Sequence, residues 1–250
     1  MKFEEKFTSE TITKGIKMTT ITKTHKKAEN YKNLCIFAYD ALKFENGAKI
    51  FGKWKKLESF HETKTNFKGI LYTNGSEYVI CYLGTDRKSL KDHIGNLVMG
   101  IFGKNLQMRI ANYFYKKCKE KFDFYNENLT LIGHSEGATE ATFTGIKNNL
   151  KVVTFNAFGI NPKLYDRKKD YSNLITNYRD ESDLVSKLRE NPGKTYIVPS
   201  IVHQNILKKH FGSIKSHKIA NLGNCESAIP LEEYITKHPL FINSYGFFTK

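Results

Sequence analysis

Leu129-Thr130-Leu131-Ile132-Gly133-His134-Ser135-Glu136-Gly137-Ala138 decides the reading of this chain. An apolar run over 129–132 enters the pattern G-x-S-x-G, and small, helix-compatible residues follow over 138–146. Strand, tight turn and helix in that order are the setting of a nucleophile elbow. Side chains at 133 and 137 would collide with the neighbouring strand and helix, so glycine is needed at both. The turn leaves Ser135 at its tip, beside a helix N-terminus whose N–H groups can meet an oxyanion. A bare G-x-S-x-G also occurs as a glycine-rich loop around an ordinary serine. The β-run before it and the small residues after it favour the elbow.

A serine at neutral pH needs a base to take its proton and a third group to orient that base. In elbow enzymes of the α/β kind the acid follows the serine, and the histidine follows the acid. Asp183 is the best acid, in Arg179-Asp180-Glu181-Ser182-Asp183-Leu184-Val185, just past an expected strand at 174–178. Asp180 and Glu181 are rivals in the same loop. Four histidines follow: His203, His210, His217 and His238. His217 leads, because Ser216-His217-Lys218 is a polar loop ahead of a helix-like segment; His210 comes next. His134 is expected to pack beside the elbow. For the oxyanion hole, Glu136 offers its N–H, and Thr85 after Gly84 offers a second N–H and a hydroxyl.

The rest of the chain surrounds the elbow with alternating elements. Helical spacing places Tyr31, Leu34, Cys35, Ala38 and Leu42 on one face over 28–44. Strands are expected at 52–60, 67–72 and 78–83. The last two flank Asn74-Gly75, which reads as a hairpin turn. Tyr78-Val79-Ile80-Cys81-Tyr82-Leu83 is apolar almost throughout, as a strand buried on both faces should be. An amphipathic helix at 106–122, strands at 152–155, 174–178 and 195–198, and a short helix at 231–236 complete the series. Strands alternating with helices predict an α/β fold, with a mainly parallel sheet, helices on both faces and an N-terminal antiparallel hairpin. Residues 1–27 read as a basic extension, with a short edge strand at 11–18 and disorder as equal alternatives, and 28–250 as one domain.

The net charge of +15, from 40 basic and 25 acidic residues, attracts anionic surfaces. No nucleic-acid motif accompanies it, so no nucleic acid is expected as partner. The four cysteines, Cys35, Cys81, Cys118 and Cys225, are scattered without C-x-x-C or paired histidines. They predict neither a disulfide scaffold nor a metal site, and no cofactor is called for. Met1-Lys2-Phe3-Glu4-Glu5-Lys6 lacks the secretory pattern, and no run approaches the ~20 apolar residues of a membrane span. A cytoplasmic location, or export by a signal-independent route, is the expectation.

Four segments in order resemble the class 3 lipases of the α/β-hydrolase fold, and more closely their bacterial relatives. Tyr82-Leu83-Gly84-Thr85-Asp86 is similar to the family's oxyanion strand, with Leu83 where arginine is usual. The elbow is similar to Gly-His-Ser-Leu-Gly-Gly, with Glu136 in place of leucine. Val152-Val153-Thr154-Phe155-Asn156-Ala157-Phe158-Gly159 resembles the strand and small-residue loop that follow, and Asp183-Leu184-Val185-Ser186 the acid segment. Ser216-His217 falls where the family's histidine is expected. The resemblance covers about residues 28–222. It implies hydrolysis of carboxylic esters of lipids by Ser135, Asp183 and His217.

It also implies that residues 94–102 occupy the lid position. Ile94, Leu97, Val98, Met99, Ile101 and Phe102 there are spaced by Gly95 and Gly100, a composition that suits a mobile apolar cover docking on a lipid surface. A buried loop or short core helix is the structural alternative. The basic charge tilts the expected substrate to an anionic lipid, hence to a phospholipase. A soluble esterase, thioesterase or acyltransferase with the same triad is the alternative, and a non-catalytic basic binder the third reading.

Overall fold

Tyr78–Leu83 sits at the junction between the antiparallel and parallel halves of one sheet. The computed structural model describes residues 9–84, 104–187, 189–202 and 215–238. In chain order the strands are β1 (Lys49–Phe51), β2 (Trp54–Glu62), β3 (Phe67–Thr73), β4 (Tyr78–Leu83), β5 (Leu129–His134), β6 (Lys151–Phe155), β7 (Ile175–Asp180), β8 (Lys194–Val198) and β9 (Ile229–Pro230). Their order in the sheet is their order in sequence. β1 to β4 pair antiparallel, β4 to β8 pair parallel, and β9 closes the edge antiparallel. The helices are α1 (Ser9–Ala41), α2 (Lys104–Phe122), α3 (Glu136–Asn148) and α4 (Leu231–Lys237).

β4 explains why its sequence is apolar on both sides. Val79, Cys81 and Leu83 pack with Tyr31, Leu34 and Ala38 of α1, on the face that also holds Ile132, Phe155 and Tyr178. Ile80 and Tyr82 point the other way, into the layer of Phe114 from α2 and Ala141 from α3. Side chains alternate across a strand, so a helix layer on each face demands apolar residues at every position. Each fully buried Leu, Ile or Val stabilises the fold by about 1.5–3 kcal/mol. The hairpin between β3 and β4 turns at Asn74 and Gly75. The Asn74 side chain accepts from the N–H groups of Ser76 and Glu77, and Gly75 takes φ +94°.

The N-terminal region differs from expectation. The weak strand expected at 11–18 is helix, and α1 runs unbroken from Ser9 past residue 28 to Ala41. Ile12 and Ile16 stand four residues apart, a helical interval that also mimics weak alternation. His25 is buried, with its Nδ1 2.8 Å from the Tyr178 hydroxyl, so tertiary contact reaches upstream of the apolar stripe at 28–41. Tyr31 adds a polar tie, donating to Glu77 at 3.1 Å.

The parallel strands leave four ends side by side. Gly84 directly follows β4, Ser135 follows β5, Asn156 follows β6 and Glu181 follows β7. In open α/β sheets this C-terminal edge is where ligands bind.

Candidate active site

The elbow is built by sterics. Ser135 takes φ 56° and ψ −120°, a conformation that non-glycine residues rarely adopt. Its surroundings hold it there: Ser135 N–H donates to Phe155 O at 3.2 Å, and Phe158 N–H donates to Ser135 O at 3.3 Å. A Cβ at Gly133 would lie 2.3 Å from Gly137 O, and one at Gly137 would lie 2.2 Å from Tyr82 O. The need for glycine, inferred above from turn tightness, is therefore a need for backbone-to-backbone contact. Gly84 is also too crowded for a side chain, since a Cβ there would come 2.8 Å from His134 O and 3.4 Å from Glu136 N. The Tyr39 hydroxyl of α1 donates to Gly84 O at 2.7 Å and tethers this strand end.

His217 reaches Ser135 from the far end of the chain. Its Nε2 lies 2.7 Å from Ser135 Oγ, and its Nδ1 lies 2.9 Å from Asp183 Oδ2. With Nδ1–H donating to the carboxylate, Nε2 is left to accept the serine proton. All three side chains are buried. Asp183 also accepts from Val185 N–H at 3.0 Å and Ser186 N–H at 3.3 Å. Burial alone would push its carboxyl up. The His217 imidazole and these donors outweigh burial and hold the carboxyl below the usual range. It is ionised at neutral pH.

The rival residues face other partners. Glu181 accepts from Ser200 N–H at 2.9 Å and from the Tyr234 hydroxyl of α4 at 3.2 Å. Asp180 accepts from Ser182 N–H at 2.8 Å, and burial pushes its carboxyl up to about 7. His238 ends α4, with its ring 4.5 Å from that of Tyr234. His203 and His210 lie outside the described residues, as do Thr85 and the segment Ile94, Leu97, Val98, Met99, Ile101 and Phe102. Glu136 opens α3, so its N–H is among those at the helix N-terminus beside Ser135.

Two residues brace the histidine from behind. His134 Nε2 lies 2.6 Å from His217 O, and the two rings are 5.1 Å apart. Asn156 Nδ2 donates to Ser216 O at 2.9 Å and to His217 O at 3.4 Å, while its Oδ1 accepts from Asp180 N–H at 2.8 Å. Asn156 is fully buried at φ 44°, a left-handed conformation that asparagine tolerates. Sequence reading placed His134 beside the elbow but missed Asn156. The available signal was an amide directly after an apolar strand, at the edge where the other strand ends carry the site. Among the described residues, no group of His, Cys, Asp and Glu could hold a metal ion, and no helix is long and apolar enough to cross a membrane.

Comparison with known proteins matches residues 30–228 to the family model described as a Tle-like phospholipase domain. The extracellular phospholipase A1 of Serratia liquefaciens is 26% identical over 157 residues, which are 59% of this chain and 47% of that protein. The chain thus spans about half the length of the curated relative it matches. Among solved structures, the Rhizomucor miehei triacylglyceride lipase superposes with a TM-score of 0.57 at 14% identity, covering 88% of this chain and 98% of that one. The lipase of Rhizopus microsporus var. chinensis gives 0.54 at 16% identity, covering 81% and 90%. These likenesses show the α/β-hydrolase fold of lipases.

Proposed function

This chain belongs to the family of Tle-like phospholipase domains, and we propose that it hydrolyses carboxylic esters of lipids through an acyl-enzyme on Ser135. The observation that carries this reading is the relay of Ser135 Oγ, His217 Nε2 and Asp183, at 2.7 and 2.9 Å. His217 takes the hydroxyl proton as Oγ attacks the ester carbonyl. The Glu136 N–H receives the negative charge that builds on the carbonyl oxygen, and Thr85, as the sequence expects, supplies the second donor. When the tetrahedral adduct collapses, the imidazolium gives its proton to the departing alcohol. Water, deprotonated by His217, then cleaves the acyl-enzyme to the free acid and restores Ser135. Asp183 stays ionised throughout and stabilises the imidazolium.

A phospholipid is the favoured substrate. The family description and the phospholipase A1 activity in the name of the Serratia relative support a phospholipid, and the charge of +15 supports an anionic lipid surface. That relative's name also supports action outside the cell rather than a cytoplasmic role. Ile94, Leu97, Val98, Met99, Ile101 and Phe102, flanked by Lys88, Lys91 and Lys104, are proposed as the lid that meets this surface, on the strength of composition.

The test is labelling with a fluorophosphonate, which is attacked only by an activated serine. The parent protein should be labelled at Ser135, and Ser135→Ala should not. Absence of label on the folded parent would overturn the hydrolase reading.

A further inference from the structure

Gly84 stands against the elbow with no room for a side chain. A Cβ on it would come 2.8 Å from His134 O and 3.4 Å from both Ser135 Cβ and Glu136 N, the N–H of which is the first oxyanion donor of the proposed reaction. That fit requires glycine, and glycine brings rotational freedom to the peptide that follows it. A side chain from another element removes this freedom. The Tyr39 hydroxyl of α1 donates to Gly84 O at 2.7 Å. Tyr39 is half-buried and Gly84 is buried, so water competes poorly for that carbonyl.

α1 holds Tyr39 in place. One turn earlier, Cys35 lies against Cys81 of β4, Sγ to Sγ 3.7 Å, and Ala38 belongs to the same core cluster as Leu83. Residues 35 and 39 stand one above the other on a helix surface. The helix is thus anchored on the same strand whose end Tyr39 holds. A hydrogen bond carried by a packed helix fixes an orientation more closely than one carried by a loop.

A peptide unit is planar, with its C=O and N–H on opposite sides. A Gly84 carbonyl engaged by Tyr39 cannot swing round and face the ester oxygen with its own partial negative charge. The same plane carries the N–H of Thr85, the second donor named above. We infer that Tyr39 is a positioning residue of the oxyanion hole, acting by holding the plane of the peptide after Gly84. This role rests on the esterase reading of Ser135.

Tyr39→Phe keeps the ring and removes only the hydroxyl. On a soluble short-chain ester its kcat should fall about ten-fold, with KM close to that of the parent, because a slightly misaligned donor is missed in the transition state more than in the ground state. Affinity for an alkyl boronic acid, which forms a tetrahedral adduct on an activated serine, should fall by a similar factor. Tyr39→Leu, which removes the ring as well, should lose stability to urea but show no further drop in kcat. A kcat that falls only when the ring is lost would make Tyr39 a packing residue and overturn the proposal. So would parent-like kcat and boronate affinity in Tyr39→Phe, while labelling of the parent by fluorophosphonate leaves the esterase reading standing. A folded parent with neither label nor turnover would overturn both.

Discussion

His134 Nε2 donates to the main-chain carbonyl of His217 at 2.6 Å. A carbonyl oxygen only accepts, so the ring proton of His134 sits on Nε2. The residue before the proposed nucleophile thereby positions the backbone of the proposed base. His134→Ala should lower kcat by about ten- to a hundred-fold with KM little changed, because small misplacements of a catalytic group carry costs of that order. Steady-state kinetics on a soluble short-chain ester measure this. An unchanged kcat would show that His134 only fills space.

Asn156 joins three segments, the end of β6, the Asp180 N–H and the carbonyls of Ser216 and His217. Asn156→Ala leaves a buried donor and a buried acceptor unmatched, at about 1–3 kcal/mol each. The variant should unfold at lower urea and also lose turnover. Asn156→Asp keeps the acceptor for Asp180 N–H but turns an acceptor on the two carbonyls. It should lose turnover as severely, whereas a purely local cap would tolerate it.

Ser135→Ala, His217→Ala and Asp183→Asn should each lose ester hydrolysis by roughly 10⁴-fold or more, since such groups act as a unit. His238→Ala should retain nearly all of it. A dead His238→Ala with an active His217→Ala would move the base to the end of α4.

Gly137→Ala should destabilise the protein by several kcal/mol or prevent folding, because its Cβ would stand 2.2 Å from Tyr82 O. Gly75→Ala meets no neighbour within 4 Å and carries only the strain of φ +94°. The urea midpoints of the two variants should differ clearly. Equal losses would mean that the elbow relaxes freely.

Asp180 sets part of the pH dependence of stability. Burial raises its carboxyl from an ordinary 3.8 to about 7 in the folded protein. Between those values the native state holds a proton that the unfolded chain has lost. Its contribution therefore falls as pH rises from about 4 to 7, and is constant above. Asp180→Asn removes this titration. Relative to the parent, the variant should gain stability between pH 5 and pH 8, by up to a few kcal/mol. Parallel stability profiles for the two proteins would refute the assignment.

The elbow was legible in the sequence because its demands are local. Gly133 meets Gly137 within a single turn, so residue type alone carries that constraint, whereas the demand on Gly137 also comes from Tyr82 O of β4. β4 was legible for a similar reason: an uninterrupted apolar run in a strand requires a layer on each face. The choice of His217 over His238, and of Asp183 over Asp180 and Glu181, was guided by chain order and resemblance. It could not be derived from local pattern. His217 and Ser135 stand 82 residues apart, and their approach depends on how two loops leave the sheet. α1 was read short because its first turns lack an apolar stripe, and contacts such as His25 with Tyr178 form only once the sheet exists. Asn156 and the His134 brace were invisible for the same reason. Each joins groups whose separation along the chain is large, and only the folded backbone brings them within hydrogen-bonding or Coulomb range.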